Sequence, residues 1–331
     1  MDPWLLELIV VKNGSYGGAE RGALSRDVAR GLLHRVRPGV YVEAAAWQAI
    51  GVVGRHVVAM RALDAVAPAR PGFSHWSAAV VHGLPFIGRR LDRVHVTVGD
   101  AAMRGLSGVA GHVLLVRDEE VADVRGLLVT RIGRTVVDVT AASSFEDGVV
   151  IADAALAAGL PREMLEAAVD LAGPRQARRR LGEVTAFASP GGESPNESRS
   201  RTSCFRLGVE VCELQVEIHD EQGLAGVLDT YWRRLRIGGE ADGRSKYLDP
   251  RLAKQGAGKV VYDEKLREDR VRARIAGLAR WGWEESCSPP LLRPVLARVG
   301  IVPLERRPSL EDWARVAREA RPRRPRWSVT V

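Results

Sequence analysis

The sequence predicts a mixed α/β protein of about two domains, on three observations. Its 331 residues are roughly twice the length of an average domain. Segments with helical apolar spacing alternate with short runs of strand-like alternation along the chain. The stretch 173–193, GPRQARRRLGEVTAFASPGGE, is rich in Arg, Gly and Pro and reads as a linker between two halves. Apolar residues make up 46% of the chain and charged residues 27%, which excludes a disordered protein and provides for real cores.

Residues 1–50 have the rhythm of a small helical unit ending in a hairpin. An apolar helix is expected over Trp4 to Val11, broken at NGSYGG. A second helix is expected after Ser25, whose hydroxyl suits an N-cap. Leu24, Val28, Leu32 and Val36 recur every four residues and mark a buried face. Arg26, Arg30 and His34 recur at the same step on another face. RPGVYVEA then reads as a Pro-Gly turn into a strand, with Arg37 beside the turn. Helix, basic helix and strand in this order make a winged helix-turn-helix.

Residues 51–172 read as an α/β domain. HVVAMRALDAVA and EDGVVIADAALAAG are its alanine-rich helices, and DRVHVTV and HVLLVR its strands. His75 and His82 lie seven apart with no acidic partner in register, so packing or surface hydrogen bonding accounts for them better than metal ligation. Arg131 and Arg134 read as structural or salt-bridged.

Beyond the linker, residues 194–288 form a third segment. A helix starts near Ser194, strands follow at EVCELQVEIH, GVLDTYW and LRIGGEA, and VVYDEKLREDRVRARIAGLARWGW reads as one long helix. Ser194-Pro195-Asn196-Glu197 is a capping box with proline at the first helical position. Residues 289–331 are expected to be a basic, mobile tail. They hold ten arginines against four acidic residues, so +6 of the chain's net +8 lies there and the rest is nearly balanced. Bulk charge is therefore compatible with a nucleic-acid partner without establishing one.

Cys204, Cys212 and Cys287 form no CxxC pair, which argues against a disulfide framework or a zinc site and fits a reducing cytoplasm. WLLELIVV carries Glu7 and is too short for a signal peptide or membrane span. A cytoplasmic protein without a membrane partner is expected.

Chemistry is concentrated in GGEADGRSKY, residues 238–247. On a strand, Glu240 and Asp242 share a face with Cα atoms about 6.6 Å apart. Asp229, on the preceding strand and joined by the short RRLR turn, falls beside Glu240. Three converging carboxylates need a cation, and hard oxygen ligands suit Mg²⁺ or Mn²⁺. Such an ion can activate water against a phosphodiester, with Lys246 supplying further positive charge. Taken alone, the pair before a glycine also fits a solvated turn. The metal reading requires Asp229 to face the pair and no ion pair to fill the space between them.

Glu197-Ser198, Gln215, Asp229, Glu240, Asp242-Gly243, Lys246-Tyr247 and Glu264 through Asp269 together resemble the Vsr-like (very-short-patch-repair) endonuclease domain of the PD-(D/E)XK superfamily, over roughly residues 190–285. The resemblance implies a restriction-endonuclease-like α/β fold in which Asp229 and Glu240 bind the metal. Asp242 would occupy the place many members give to lysine, Glu197 would be the first-helix acid, and Gln215 would line the site. Two positions depart from the pattern. Ala241 stands where a bulky apolar residue is expected, and EESCSPPLL follows Trp283, so the last strand is expected to be eroded. Within EKLREDRVR, Glu264 with Glu268 and Lys265 with Asp269 also read as solvated helix neighbours.

ALSRDVARGLLHRVRPGVYV, SHWSAAVVHGLPF, DRVHVTV and VTRIGRTVVDVTAA resemble the AbiEi-like antitoxin and transcriptional-regulator family of type IV toxin–antitoxin systems, over residues 1–172. This implies that the helix from Ser25 enters the major groove. Arg26, Arg30 and His34 would then face bases or phosphates, with Arg37 at the wing. Two functions are thus expected: a Mg²⁺- or Mn²⁺-dependent DNA endonuclease, or an antitoxin-like regulator with an inactive nuclease fold. DNA is the expected partner of both, with a cognate toxin or a second copy of the chain beside it.

Overall fold

The computed structural model describes residues 1–11, 18–87, 91–98, 106–113, 116–172, 177–242 and 257–320. It is mixed α/β, with three sheets and 13 helices among the described residues. Two compact units are present. Of the described residues, the first comprises those within 1–142 and 167–172, and the second those within 143–166 and 177–320.

The first unit opens with β1 (Ile9–Val10), α1 (Gly18–Ala29), β2 (Leu33–Arg37), β3 (Val40–Glu43), α2 (Ala44–Ala49) and α3 (Val52–Val66). The strands form an antiparallel sheet in the order β1-β3-β2. Leu6, Val42, Ala46, Ile50 and Val58 make its core. Two expectations are corrected here. Trp4 to Val11 is not a helix: Ile9 and Val10 pair with Tyr41 and Val40, as β-branched residues favour. Ser25 is not an N-cap, because it lies inside α1, which stops at Ala29 ahead of Gly31 at φ 72°. His34 and Arg37 are therefore on a strand. A repeat of four is also a multiple of two, so the spacing that suggested one long helix fits the strand equally well.

The same unit continues with β4 (Gly72–Phe73), α4 (His75–Val81), β5 (Val94–Val98), β6 (Val109–Val113), β7 (Val121–Val124), β8 (Leu127–Thr130) and α5 (Ile132–Ala142). Its five strands run in the order β6-β5-β4-β8-β7, with parallel β5–β6 and β4–β8 pairs. Met60, Leu63, Phe73, Ala78, Val94, Val96, Val109, Leu127 and Val129 pack into one core. DRVHVTV supplies β5 as expected, and β6 is VAGHV, which shares His112 and Val113 with the expected HVLLVR, whose Leu114 and Leu115 lie outside the described residues. Arg134 is buried and bonds Asp138 Oδ1 at 2.8 Å and Glu120 Oε1 at 2.9 Å, so it is structural. Burial nevertheless lifts Asp138 to about 6, against the opposing pull of Arg134.

The second unit contains α6 (Phe145–Ala157), α8 (Arg178–Phe187) and α9 (Pro195–Leu207). Between them the chain passes through α7 (Arg162–Ala172). The segment expected as a linker is thus largely helix. Leu181, Val184 and Phe187 of α8 are buried, an i, i+3, i+6 stripe hidden among the arginines. Asp153 of α6 and Arg201 of α9 form a buried ion pair at 2.8 Å. Ser189 N and Ser198 Oγ also donate to Asp153, at 2.7 Å each. These bonds bind α6, expected within 51–172, to the second unit.

The sheet of this unit is built from β9 (Glu213–Asp220), β10 (Gly223–Trp232), β11 (Ile237–Ala241) and β12 (Gly277–Trp281), in the order β12-β11-β10-β9. β9–β10 and β10–β11 are antiparallel. β11–β12 are parallel, joined through α10 (Ala257–Arg272). Val271 and Ile275 pack with Ile218, Ala225, Leu228 and Tyr231. Trp281 Nε1 donates to Ser200 Oγ of α9 at 2.7 Å. Gly239 is required where strands and tryptophan crowd: a Cβ there would lie 2.4 Å from both Thr230 Oγ1 and Trp281 Cη2. The expected long helix ends at Arg272, and GLARW is the last strand, paired along its length with β11. It is not eroded.

The tail expected to be mobile is folded over much of its length. After the short α11 (Trp283–Ser286) come α12 (Pro289–Ala297) and α13 (Leu310–Glu319). They bury Leu292, Leu296 and Trp313. Pro289 and Pro290 stand at the helix start, where their missing N–H groups cost nothing. Residues 321–331 lie outside the described residues.

Candidate functional site

Strand register places four of the second unit's polar residues in one row across the sheet. Arg280 on β12 pairs with Glu240 on β11. Thr230 pairs with Gly239, so Asp229 and Glu240 are the next residues of β10 and β11. Val216–Leu228 and Leu214–Thr230 bracket Gln215 and Asp229 on β9 and β10. The row reads Gln215, Asp229, Glu240, Arg280. Glu197, from the first turn of α9, joins its β9 end.

Each member has a defined partner. Ser194 Oγ caps α9 by accepting from Glu197 N at 3.2 Å. The Glu197 carboxylate in turn accepts from Ser194 Oγ at 2.8 Å and Glu193 N at 3.0 Å. Gln215 Nε2 donates to the same carboxylate at 2.9 Å. Gln215 has φ 53°, a left-handed conformation that a non-glycine residue adopts at a cost, typically at functional or tightly held positions. Asp229 Oδ2 accepts from Ala241 N at 2.9 Å, so its carboxylate reaches the backbone between Glu240 and Asp242.

Glu240 accepts from two guanidiniums, with Oε2 bound to Arg280 Nη2 at 2.6 Å and Oε1 to Arg267 Nη2 at 3.3 Å. Arg280 also reaches Glu268 Oε2 at 3.0 Å and Asp242 Oδ2 at 3.9 Å. Burial opposes its charge, but the Glu240, Glu268 and Asp242 carboxylates raise its pKa above the usual value. Glu197, Asp229 and Glu240 are 5%, 4% and 6% exposed, so their oxygens depend on partners within the protein rather than on water.

These residues do not fit the expected metal as they stand. Both Glu240 oxygens are engaged by arginine, and Asp229 is turned to a backbone N–H. Among the described residues, no three His, Cys, Asp or Glu are grouped to hold an ion. Gly243, Lys246 and Tyr247 lie outside the described residues. Glu268, read from sequence as solvated, belongs to the Arg280 cluster. Arg280 was missed because its role depends on a parallel register that sequence spacing does not reveal, and Arg267, inside the 264–269 stretch, was given no role because it reaches Glu240 from the helix.

In the first unit, Ser25, Arg26 and Arg30 are exposed on or just beyond α1. His34 stacks on Trp47, with ring centroids 4.3 Å apart, and burial followed by the Arg55 charge lowers its pKa. Arg37 is half-buried, and burial lowers its pKa too. The expected set therefore splits, with Ser25 and Arg26 on the helix, Arg30 on the turn after it, and His34 and Arg37 on a strand. Arg21 and Arg35 are exposed beside them. No carboxylate among the described residues pairs with Arg21, Arg26, Arg30 or Arg35.

The histidines divide in an unexpected way. His82 Nε2 bonds Thr130 O at 2.7 Å, as a packing residue would. His75 instead meets His95 and His112. Those two sit at alternating positions of neighbouring strands, in VHVTV and VAGHV, which was the only available sequence signal. No helix among the described residues is long and apolar enough to cross a membrane. No family model, curated protein or solved structure matches this chain.

Proposed function

We propose that the chain is a DNA-binding regulator whose second unit keeps a nuclease-like row of acids in a cation-filled, non-hydrolytic state. The observation that carries the proposal is the set of exposed arginines on α1, on the turn after it and on β2: Arg21, Arg26, Arg30 and Arg35, none in an ion pair with a carboxylate among the described residues. Guanidiniums in this condition are free to displace counterions from phosphates. A helix followed at once by an antiparallel hairpin suits a groove and the backbone flanking it. For the second unit, support comes from Glu240, whose two oxygens are both held by arginine.

A hydrolytic reading has one observation in its favour. Three carboxylates, Glu197, Asp229 and Glu240, are nearly fully buried along the row, and a purely structural sheet would be more stable with apolar residues there. One experiment separates the two. Purified full-length protein is incubated with supercoiled and single-stranded DNA in Mg²⁺, Mn²⁺ or EDTA, and both binding and strand scission are measured. Salt-sensitive binding without metal-dependent scission supports the regulator. Scission that requires Mg²⁺ or Mn²⁺ and is lost in Asp229→Ala and Glu240→Ala overturns the non-hydrolytic half. Absence of DNA binding at low salt overturns the whole.

A further inference from the structure

Six of the chain's seven histidines, His34, His56, His75, His82, His95 and His112, lie in the first unit. Three of them converge. His95 on β5 and His112 on β6 come from a parallel pair in which Thr97 faces His112 and His95 faces Ala110. Alternation puts both on the same face of the sheet, opposite the Val94, Val96 and Val109 core face. His95 Nδ1 and His112 Nε2 are 3.0 Å apart. His75, the first residue of α4, lays its ring on His112 with centroids 3.5 Å apart. His75 does so with φ 51°, a strained conformation for a residue with a Cβ.

We propose that His95 and His112, joined by His75, form a site for a nitrogen-preferring divalent transition-metal ion of the Zn²⁺ class. Two imidazole nitrogens bound to one tetrahedral ion at 2.0–2.1 Å stand about 3.3 Å apart. The observed 3.0 Å needs to open by only a few tenths of an ångström, and the donor ring's proton moves to its other nitrogen, leaving both facing lone pairs for the ion. Among the described residues no three ligands already surround a common point, so His75 must turn its ring off His112 to become the third. Its other nitrogen is already oriented: Ser74 Oγ lies 2.9 Å from His75 Nδ1, the type of outer contact that fixes a ligating imidazole and leaves Nε2 for the ion. A fourth position is left to water or an incoming donor.

Imidazole binds a metal in its neutral form, and the His75 ring that would turn to the ion is 3% exposed. Two guanidiniums are close enough for their charge to act on these rings, Arg93 on His95 and His112 and Arg134 on His75. Arg93 donates to Val109 O, and Arg134 is held by Glu120 and Asp138. Asp92 adds a compensating negative charge. On the inner side, His56 Nε2 bonds Ser77 Oγ at 2.8 Å, and that same oxygen accepts from His95 N at 2.8 Å. The β5 ligand is thus tied to α4, which carries His75.

Chelator-treated full-length protein should be titrated with Zn²⁺ against a chromophoric chelator and with Co²⁺ by visible absorption. One ion per chain with micromolar or tighter affinity is expected, with visible Co²⁺ bands of a low-coordinate nitrogen site. His95→Gln and His112→Gln should abolish those bands, Ser74→Ala should weaken affinity by about tenfold, and His219→Gln should change neither. In case the ligand variants unfold, Zn²⁺ added to the unaltered protein should shift the ring NMR signals of His95 and His112 and leave His219 in place. Absence of Zn²⁺ binding, unmoved His95 and His112 signals, or a thiolate charge-transfer band placing the ion on a cysteine would each overturn the site.

Discussion

Arg280 donates to Glu240 Oε2 at 2.6 Å from the directly paired position of the neighbouring parallel strand. This pairing answers the charge problem posed by Glu240 on β11 and Asp242 just beyond its end. A single guanidinium, in contact with Glu240, Glu268 and Asp242, supplies the positive charge that a divalent ion would otherwise bring. Guanidinium stays protonated throughout the physiological range and is planar. The sheet therefore carries a permanent, directional counterion that needs no metal in the medium.

Replacing Arg280 with Met should then have two consequences. Removing one partner of a buried pair leaves the other charge uncompensated, at a cost of about 3–5 kcal/mol when fully buried. Arg280 is about one-third exposed and Arg267 still reaches Glu240, so a loss of about 1–3 kcal/mol is expected by urea unfolding. The variant should also gain a melting-temperature rise with Mn²⁺ that the unaltered protein lacks, because its carboxylates would now seek another cation. Equal Mn²⁺ responses in the two proteins would show that Arg280 does not stand in for an ion.

How far the sequence disclosed this arrangement depended on whether the interactions were local. Ser194, Pro195 and Glu197 act within one turn, so the start of α9 was readable. Asp229 beside Glu240 was readable too, because a short turn joins two antiparallel strands and fixes their register. Arg280 was not. Its pairing crosses a helical connection, and GLARW continued the charged helix without a break in composition. Trp313 was hidden differently: it anchors α13 inside an arginine-rich stretch, where charge masked the Trp313, Ala314 and Ala317 stripe. In the first unit, the four-residue recurrence from Leu24 to Val36 suited both secondary structures. Gly31 decided between them, by ending the helix with positive φ.

The buried histidines make the first unit acid-sensitive. His75 and His56 have pKa values near 2 and 4, and His95 is near 4, against 6.5 for a free side chain. The unfolded chain therefore binds protons that the folded unit refuses, and stability present above pH 6.5 is lost as pH falls toward 4. Each such histidine contributes a slope of up to about 1.4 kcal/mol per pH unit. Asp138 works in the opposite sense, because its folded value of about 6 exceeds the usual carboxylate value and favours folding as it protonates. Three histidines outweigh one aspartate. Hydrogen exchange of the β5 and β6 amides, corrected for intrinsic rates, should show protection falling steeply between pH 6.5 and 4.5. Protection that is flat over that range would mean that the cluster takes up protons without opening.

The arginines of α1 lend themselves to a quantitative test, because a phosphate contact is counted by salt. Each one neutralised contributes about −0.9 to the slope of log affinity against log salt concentration on duplex DNA. Arg26 and Arg30 lie four residues apart on one side of α1 and its end, and both are exposed. Arg30→Ala should therefore weaken binding at low salt and flatten the slope by about 0.9, Arg26→Ala should do the same, and the double variant should flatten it by about twice as much. Arg179→Ala, on an exposed side chain of α8 already paired with Glu183, should leave the slope unchanged. A slope that does not move in either α1 variant would take this helix off the DNA, and binding would then have to be sought among the other basic surfaces of the chain.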